Sequence, residues 1–217
     1  ISMYAGWGVD FIKCDDICNI KGEHPYGARG EIELIHKAII RSGRSIVLSL
    51  SPGPALIEEA WHLEQNANMW RITDDFWDDW TLLKDMFKRC EIWQKHVGNG
   101  SWPDCDMLPF GHIGEVFGNG RLCSLTQDER RTTMTLGCIF RSPLMLGCEL
   151  TQLDEWTKGL ITDDTMLGLN MYGSVPVLID NHGGVVIWEN VNTKNGKKYR
   201  AVFNLNDGDI VVNGTMI

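Results

Sequence analysis

The sequence predicts an α/β fold, part of a (β/α)8 TIM barrel followed by the start of a small C-terminal antiparallel β-domain. Three observations carry this. Near-continuous apolar strands alternate with helical patterns five times in tandem, acids stand at the end of nearly every such strand, and the period changes after about residue 170. Apolar strands separated by helices make a parallel sheet buried on both faces. A doubly wound sheet has no use for carboxylates at so many strand ends, whereas a barrel gathers them at one face.

The elements follow in order. The opening "ISMYAGWGVDFIK" is a helix tail running into a strand. "GVDFIKCD" is β-rich and ends in acid; "GEIELIHKAIIRSG" then places Ile32, Ile35, Ile39 and Ile40 at helical spacing, with Gly43 beyond its end. "SIVLSLS" precedes a Pro/Gly turn and the short helical "LIEEAWHLEQN"; "NMWRITD" precedes "FWDDWTLLKDMFKRCEIWQKH". "DMLPFG" precedes a long loop and "TQDERRTTMTLGCIFR", and "PLMLGCEL" closes the series. "GGVVIWEN", "KKYRAVFNL" and "GDIVVNG" read as antiparallel strands, with Asn195-Gly196 as a hairpin signal. The expected division is residues 1–172 as barrel and 173–217 as the beginning of the β-domain, which the resemblance described below makes a β-sandwich. With no Met at position 1 and a pattern cut at Ile217, the sequence reads as a fragment.

Composition narrows the function. A 217-residue chain with 43% hydrophobic residues can bury a core. A net charge of −9, from 29 acids against 20 Lys and Arg, disfavours nucleic acid and anionic membranes. No stretch approaches the roughly 20 apolar residues of a membrane helix. Seven cysteines, at 14, 18, 90, 105, 123, 138 and 148, follow no zinc spacing and read mostly as buried thiols, with one or two bridges left open. The histidines at 24, 36, 62, 96, 112 and 182 form no HExxH pattern, which argues against a zinc hydrolase. Asp15, Asp75 and Asp106 imitate the ligands of a magnesium enolase-type barrel, but a lysine base is not clearly placed. Ser51 in "SLSPGP" lacks the GxSxG setting of a serine hydrolase.

Candidate site residues then follow from position at strand ends: Asp15 and Asp16, Arg71 with Asp74 and Asp75, Asp104 and Asp106, and Glu149. Lys13, two residues before Asp15, shares its face of the strand. Two carboxylates flanking a glycosidic bond, one nucleophile and one general acid, are the equipment of a glycosidase, and a separation of roughly 5–5.5 Å implies retention. Trp70, Trp77 and Trp102 offer flat faces to sugar C–H groups, or pack in the core. Against this stand plainer readings: Asp78 and Asp79 as first-turn residues of a helix, Asp74 as its N-cap, and Asp16 as a solvated loop acid.

These residues resemble the α-galactosidase-like glycoside hydrolases of family 27. That family's "WGVDYLKYDNC" strand is similar to "WGVDFIKCDDIC", its "WR…DI" segment to "WRITDDF" and its "WNDPDMLVIG" to "WPDCDMLPFG"; "SPLMLGCEL" is similar to its eighth strand. The resemblance runs from about barrel strand four to the opening of the β-sandwich. It implies that Asp15 is the nucleophile and Asp75, not Asp74, the acid/base. It also implies that Lys13, Arg71 and Asp106 bind the sugar, and Trp102 is taken with them as a substrate-binding residue. Three departures accompany it: barrel strands one to three are absent, the family's Cys-Glu-Trp loop is replaced by "SLSPGPA", and its Asp-Asn-Cys becomes Asp15-Asp16-Ile17-Cys18.

The implied function is an exo-acting, retaining glycoside hydrolase cleaving terminal α-D-galactosyl residues by double displacement, without metal or other cofactor. α-N-acetylgalactosaminidase and β-L-arabinopyranosidase are the alternatives within the family, and an inactive fragment or carbohydrate-binding remnant is the alternative outside it. The expected partner is a carbohydrate substrate, with no nucleic acid and no membrane, and a homo-oligomer is compatible with the sequence. The resemblance suggests a periplasmic or secreted protein.

Overall fold

The computed structural model of the chain describes residues 1–18, 28–98, 100–212 and 215–216. Contacts divide the chain into two units, Ile1–Asp75 with Gly98–Asp106, and Phe76–Val97 with Met107–Ile217. His24, and Asn213 and Gly214 of the "GDIVVNG" segment, lie outside the described residues.

In the first unit, helix α1 (Ser2–Gly6) leads into strand β1 (Phe11–Cys14), then α2 (Arg29–Ser42), β2 (Val47–Leu50), α3 (Ala60–Asn66) and β3 (Met69–Arg71). Gly43, left-handed at φ 69°, ends α2 where the sequence expects it. Ile32 and Ile39 of that helix are buried, but Ile40, expected on the same face, is 66% exposed. The seven-residue spacing of Ile32 and Ile39 keeps them on one line of the helix, and Ile40 turns about 100° away from it.

The four strands of this unit, including β4 (Trp102–Asp104), form one parallel sheet in the order β1-β2-β3-β4. Lys13 pairs with Ser49, Ser49 with Met69, and Met69 with Trp102; one row of the pleat further on, Arg71 pairs with Asp104. Residues in register share a face, and so do residues two apart along a strand. Leu48, Leu50 and Trp70 are therefore on one face, and all three are buried. Lys13, Ser49, Arg71 and Asp104 line the other together with Phe11, Val47, Met69 and Trp102. That face is thus apolar where the strands begin and polar toward their C-terminal ends, rather than apolar throughout as the runs alone suggest.

The second unit contains α4 (Trp80–Trp93), β5 (Met107–Leu108), β6 (His112–Ile113), β7 (Arg121–Leu122), α5 (Gln127–Phe140), β8 (Met145–Leu146), α6 (Glu155–Ile161) and α7 (Asp164–Tyr172). β5 and β8 pair in parallel, and β6 and β7 form a short antiparallel ribbon. Leu108, Phe110, Met134, Cys138 and Leu160 make its buried core. Among the described residues the parallel strands form the four-stranded sheet and this separate pair.

Acids around α4 take other places than the sequence suggests. Asp79 is the N-cap, accepting a hydrogen bond from the Thr81 N–H at 2.6 Å, and the helix begins at Trp80. Asp74 instead accepts from the Asp75 N–H at 3.0 Å. Asp78 precedes the helix and is buried, with Arg121 donating to both its oxygens at 2.5 and 2.6 Å. The N–H and the hydroxyl of Ser124 each donate to it at 2.6 Å. Burial of this carboxylate outweighs the ordinary preference of an acid for a solvated first turn because four donors surround it.

The C-terminal segment is antiparallel, as expected, with order β11-β10-β9. It contains two strands more than the sequence pattern gives: β9 (Val177–His182), which precedes β10 (Val185–Val191) and β11 (Lys198–Asn204), and a last strand at Thr215–Met216. Gly183 and Gly184, both left-handed at φ 60° and 78°, make the two-residue turn between β9 and β10. Gly196 is left-handed in the longer β10–β11 connection. β12 (Val211–Val212) pairs with β13 (Thr215–Met216). Phe140 of α5 meets Trp188 of β10 at 6.1 Å between centroids, and Phe87 of α4 meets Phe203 of β11 at 4.9 Å.

Candidate active site

The polar face of the four-stranded sheet ends in a row of functional groups. Each strand delivers one where the chain leaves it: Asp15 after β1, Ser51 after β2, Arg71 at the end of β3 and Asp104 at the end of β4. Parallel strands put all four at the same edge, and alternation points Lys13 and Asp15 to the same side.

Arg71 sits at the centre, 2% exposed at its side chain. Its Nη1 lies 2.8 Å from Asp106 Oδ1, and its Nη2 donates to Asp75 Oδ1 at 3.0 Å. The two pairs differ in environment: the Asp106 side chain is 10% exposed and that of Asp75 is 67% exposed. At contact distance the attraction between unit charges is about 1 kcal/mol in bulk water and about 4 kcal/mol at the effective dielectric of a partly buried site. Asp106 is therefore the carboxylate that neutralises Arg71, and Asp75 remains exposed to solvent while held by one hydrogen bond.

A turn governed by Asp104 brings Asp106 to Arg71. The Asp106 N–H donates to Asp104 Oδ1 at 2.8 Å, and Asp106 takes a left-handed φ of 72°. Asx turns of this kind make such a backbone accessible to aspartate. The kink also ends β4, so that the chain re-enters extended structure as β5. Burial pushes the Asp104 carboxyl up to about 6; the negative charge of Asp106 adds to this, while the Asp106 N–H, Arg71 and Lys13 oppose it. Among the described residues, Arg71 Nε and Ser49 Oγ are buried without a hydrogen-bond partner. This face is more polar than its own packing uses.

Asp15 and Lys13 are exposed. Asp15 Oδ1 accepts a short hydrogen bond from the buried Ser51 hydroxyl. The turn after Ser51 lies close against β3: the Ala55 N–H donates to Arg71 C=O at 2.9 Å, and a Cβ on Gly53 would stand 2.3 Å from the Thr73 carbonyl oxygen. Only glycine fits there.

The structure thus brings Lys13, Asp15, Arg71, Asp75 and Asp106 to one edge of one sheet. Trp102 shares their face but lies at the start of β4, in the row of Lys13, Ser49 and Met69, two residues before Asp104. Trp70 points to the opposite face and is fully buried, so it is a core residue. Asp16 is exposed with φ 59°. Glu149 caps a short helical turn in the second unit, accepting from the Thr151 N–H at 3.0 Å and hydroxyl at 2.6 Å; the hydroxyl contact is the larger cause of its lowered pKa. Asp104 is among the strand-end candidates of the sequence, whereas Ser51 is weighed there only as a serine-hydrolase nucleophile; its place two residues after Ser49 is the signal for this face.

Among the described residues, no group of three or more His, Cys, Asp and Glu side chains is arranged to hold a metal ion, and no disulfide is formed. Burial pushes the Cys18 and Cys138 thiols up to about 12, which leaves them inert. No helix among the described residues is long and apolar enough to cross a membrane.

Comparison with known proteins places the chain in a family. Residues 1–172 match a family model described as alpha galactosidase A. The chain is 48% identical to the family 27 β-L-arabinopyranosidase of Geobacillus stearothermophilus, whose crystal structure it matches with a TM-score of 0.91 over 96% of this chain and 48% of that one. It is 29% identical to alpha-galactosidase 2 of Arabidopsis thaliana over 85% of this chain and 43% of that protein. Against human alpha-galactosidase A it is 27% identical, over 77% of this chain and 38% of the human protein. The chain spans less than half the length of each of these proteins.

Proposed function

Because the chain belongs to the alpha galactosidase A family, we propose that the protein containing it is an exo-acting, retaining glycoside hydrolase that removes a terminal sugar of galactose ring stereochemistry. The observation that supports this most is the cluster at one sheet edge: an exposed carboxylate on Asp15, a second on Asp75, and a buried Arg71 bridging Asp75 to Asp106. In this reading residues 1–172 form the C-terminal part of the barrel and 173–217 begin the β-sandwich.

Asp15 attacks the anomeric carbon with a carboxylate oxygen while the bond to the leaving oxygen breaks, and Asp75 gives its proton to that oxygen. The product of this step is a glycosyl ester on Asp15. Asp75, now a carboxylate, takes a proton from water as the water attacks the same carbon, and the ester electrons return to Asp15. Arg71 keeps Asp75 oriented through both steps. Lys13, on the same strand face as Asp15, supplies positive charge and a sugar-hydroxyl donor, and Asp106 accepts from a sugar hydroxyl.

Terminal α-D-galactosides are the substrate class that the names of the curated relatives suggest. One observation favours a second reading: identity to the β-L-arabinopyranosidase is 48%, against 29% to alpha-galactosidase 2. The two sugars share ring stereochemistry and differ at C6. Hydrolysis of aryl α-D-galactoside, α-N-acetylgalactosaminide and β-L-arabinopyranoside by the full-length protein, with Asp15→Ala as control, separates the readings. Turnover of one glycoside that disappears in the control supports the reaction and identifies the sugar. Failure of a folded protein to cleave any of the three counts against it.

A further inference from the structure

We propose, on the reading of Asp15 as the nucleophile, that Ser51 is a positioning residue that holds one oxygen of the Asp15 carboxylate and so presents the other to the anomeric carbon. The Ser51 hydroxyl donates to Asp15 Oδ1, and Ser51 itself is 1% exposed. Its backbone is fixed from both sides. The Ser51 N–H donates to Cys14 C=O at 3.0 Å, and the Ser51 C=O accepts from the Ile17 and Cys18 N–H groups at 3.2 and 3.4 Å. Cys14, directly before Asp15, and Ile17 and Cys18, two and three residues after it, are therefore fastened to the one residue that also grips its side chain. The turn beyond packs closely on β3, where a Cβ on Gly53 would collide with the Arg71 and Thr73 carbonyls.

An exposed aspartate is otherwise free to rotate and offer either oxygen. Locking Oδ1 leaves Oδ2 as the attacking atom, which lowers the entropy lost in reaching the reactive geometry. The hydrogen bond also acts unequally on the two steps. When Oδ2 forms its bond to the anomeric carbon and the leaving oxygen departs with the proton from Asp75, Oδ1 becomes the ester carbonyl and its hydrogen bond weakens. When water attacks and the ester electrons return, Oδ1 regains charge and the bond strengthens, as hydrogen bonds to ionised acceptors do. Ser51 therefore assists the departure of Asp15 from the sugar more than its arrival.

The test is pre-steady-state and steady-state hydrolysis of an aryl glycoside with a good leaving group by the full-length enzyme, its Ser51→Val and Ser51→Ala variants, and Ser51→Thr. The two variants without a hydroxyl are expected to release a burst of phenol and then turn over roughly 10- to 100-fold more slowly, the worth of a hydrogen bond to a charged group. KM is expected to fall with kcat as the glycosyl-enzyme accumulates, and Ser51→Thr to restore the rate. Either of two results from a folded variant overturns the proposal: kcat within about twofold of the parent enzyme, or a raised KM at unchanged kcat, which marks a substrate contact. Asp15→Ala separates the two levels of the argument. If it keeps full turnover, the nucleophile reading itself fails; if it is inactive while Ser51→Val is unaffected, only the role of Ser51 is lost.

Discussion

Asp104 is 3% exposed, and nothing in its surroundings fully neutralises it, since Arg71 is shared with Asp106 and Asp75. Burial raises it from 3.8 to about 6. A carboxyl raised on folding stabilises the fold while it is protonated, below about pH 4, and that contribution is lost as pH climbs to about 6. Asp104→Asn keeps an oxygen for the Asp106 N–H but cannot ionise. The variant is expected to match the parent protein near pH 4 and to gain up to about 3 kcal/mol over it by pH 7. Denaturant unfolding at the two pH values checks this, and parallel pH profiles would refute it. Lys13 and Asp15 were legible because alternation alone puts them on one face. Ser51 was less so, because serine is common in turns and its value comes from a partner 36 residues away.

At the scale of elements, Asp78 shows how a local rule is overridden. Burial pushes its carboxyl up, yet the hydrogen bonds from Arg121 and Ser124 prevail and hold it well below the usual carboxylate range. This network fastens the start of α4 to the segment after β7. Arg121→Ala removes the cation among these donors and leaves a buried charge. Because Arg121 is half exposed, the expected result is a folded protein with a lowered unfolding midpoint. A group lowered on folding stabilises above the ordinary carboxylate range, so the loss should be full at neutral pH and shrink as the pH falls below about 4. An unchanged unfolding midpoint at pH 7 would contradict this account. The sequence pattern cannot reveal such a pairing, because the two residues lie 43 apart. It could have revealed the capping box at Thr126 and Glu129, whose T-x-x-E spacing stands in "TQDE" and whose reciprocal bonds start α5.

For the whole molecule, alternation of strand and helix was readable because each parallel strand needs a crossover of some length, and every such crossover left its own periodic mark. β4 was harder to see. It is three residues long, contains a proline, and is separated from β5 by a kink that depends on the Asp104 side chain. β9 was missed because its residues continue the apolar run after α7, although the Gly-Gly turn that follows it is a hairpin signal. The central proposal joins these scales: one sheet edge presents the proposed nucleophile just after β1 and the proposed acid/base after β3. Product analysis of azide reactions with the Asp15→Ala and Asp75→Ala variants of the full-length enzyme tests it most directly. Azide attacking in place of Asp15 should give the glycosyl azide of inverted configuration, whereas azide replacing water in Asp75→Ala should give the retained one. The opposite pairing, or azide products from neither variant, would contradict the assignment of Asp15 as nucleophile and Asp75 as acid/base.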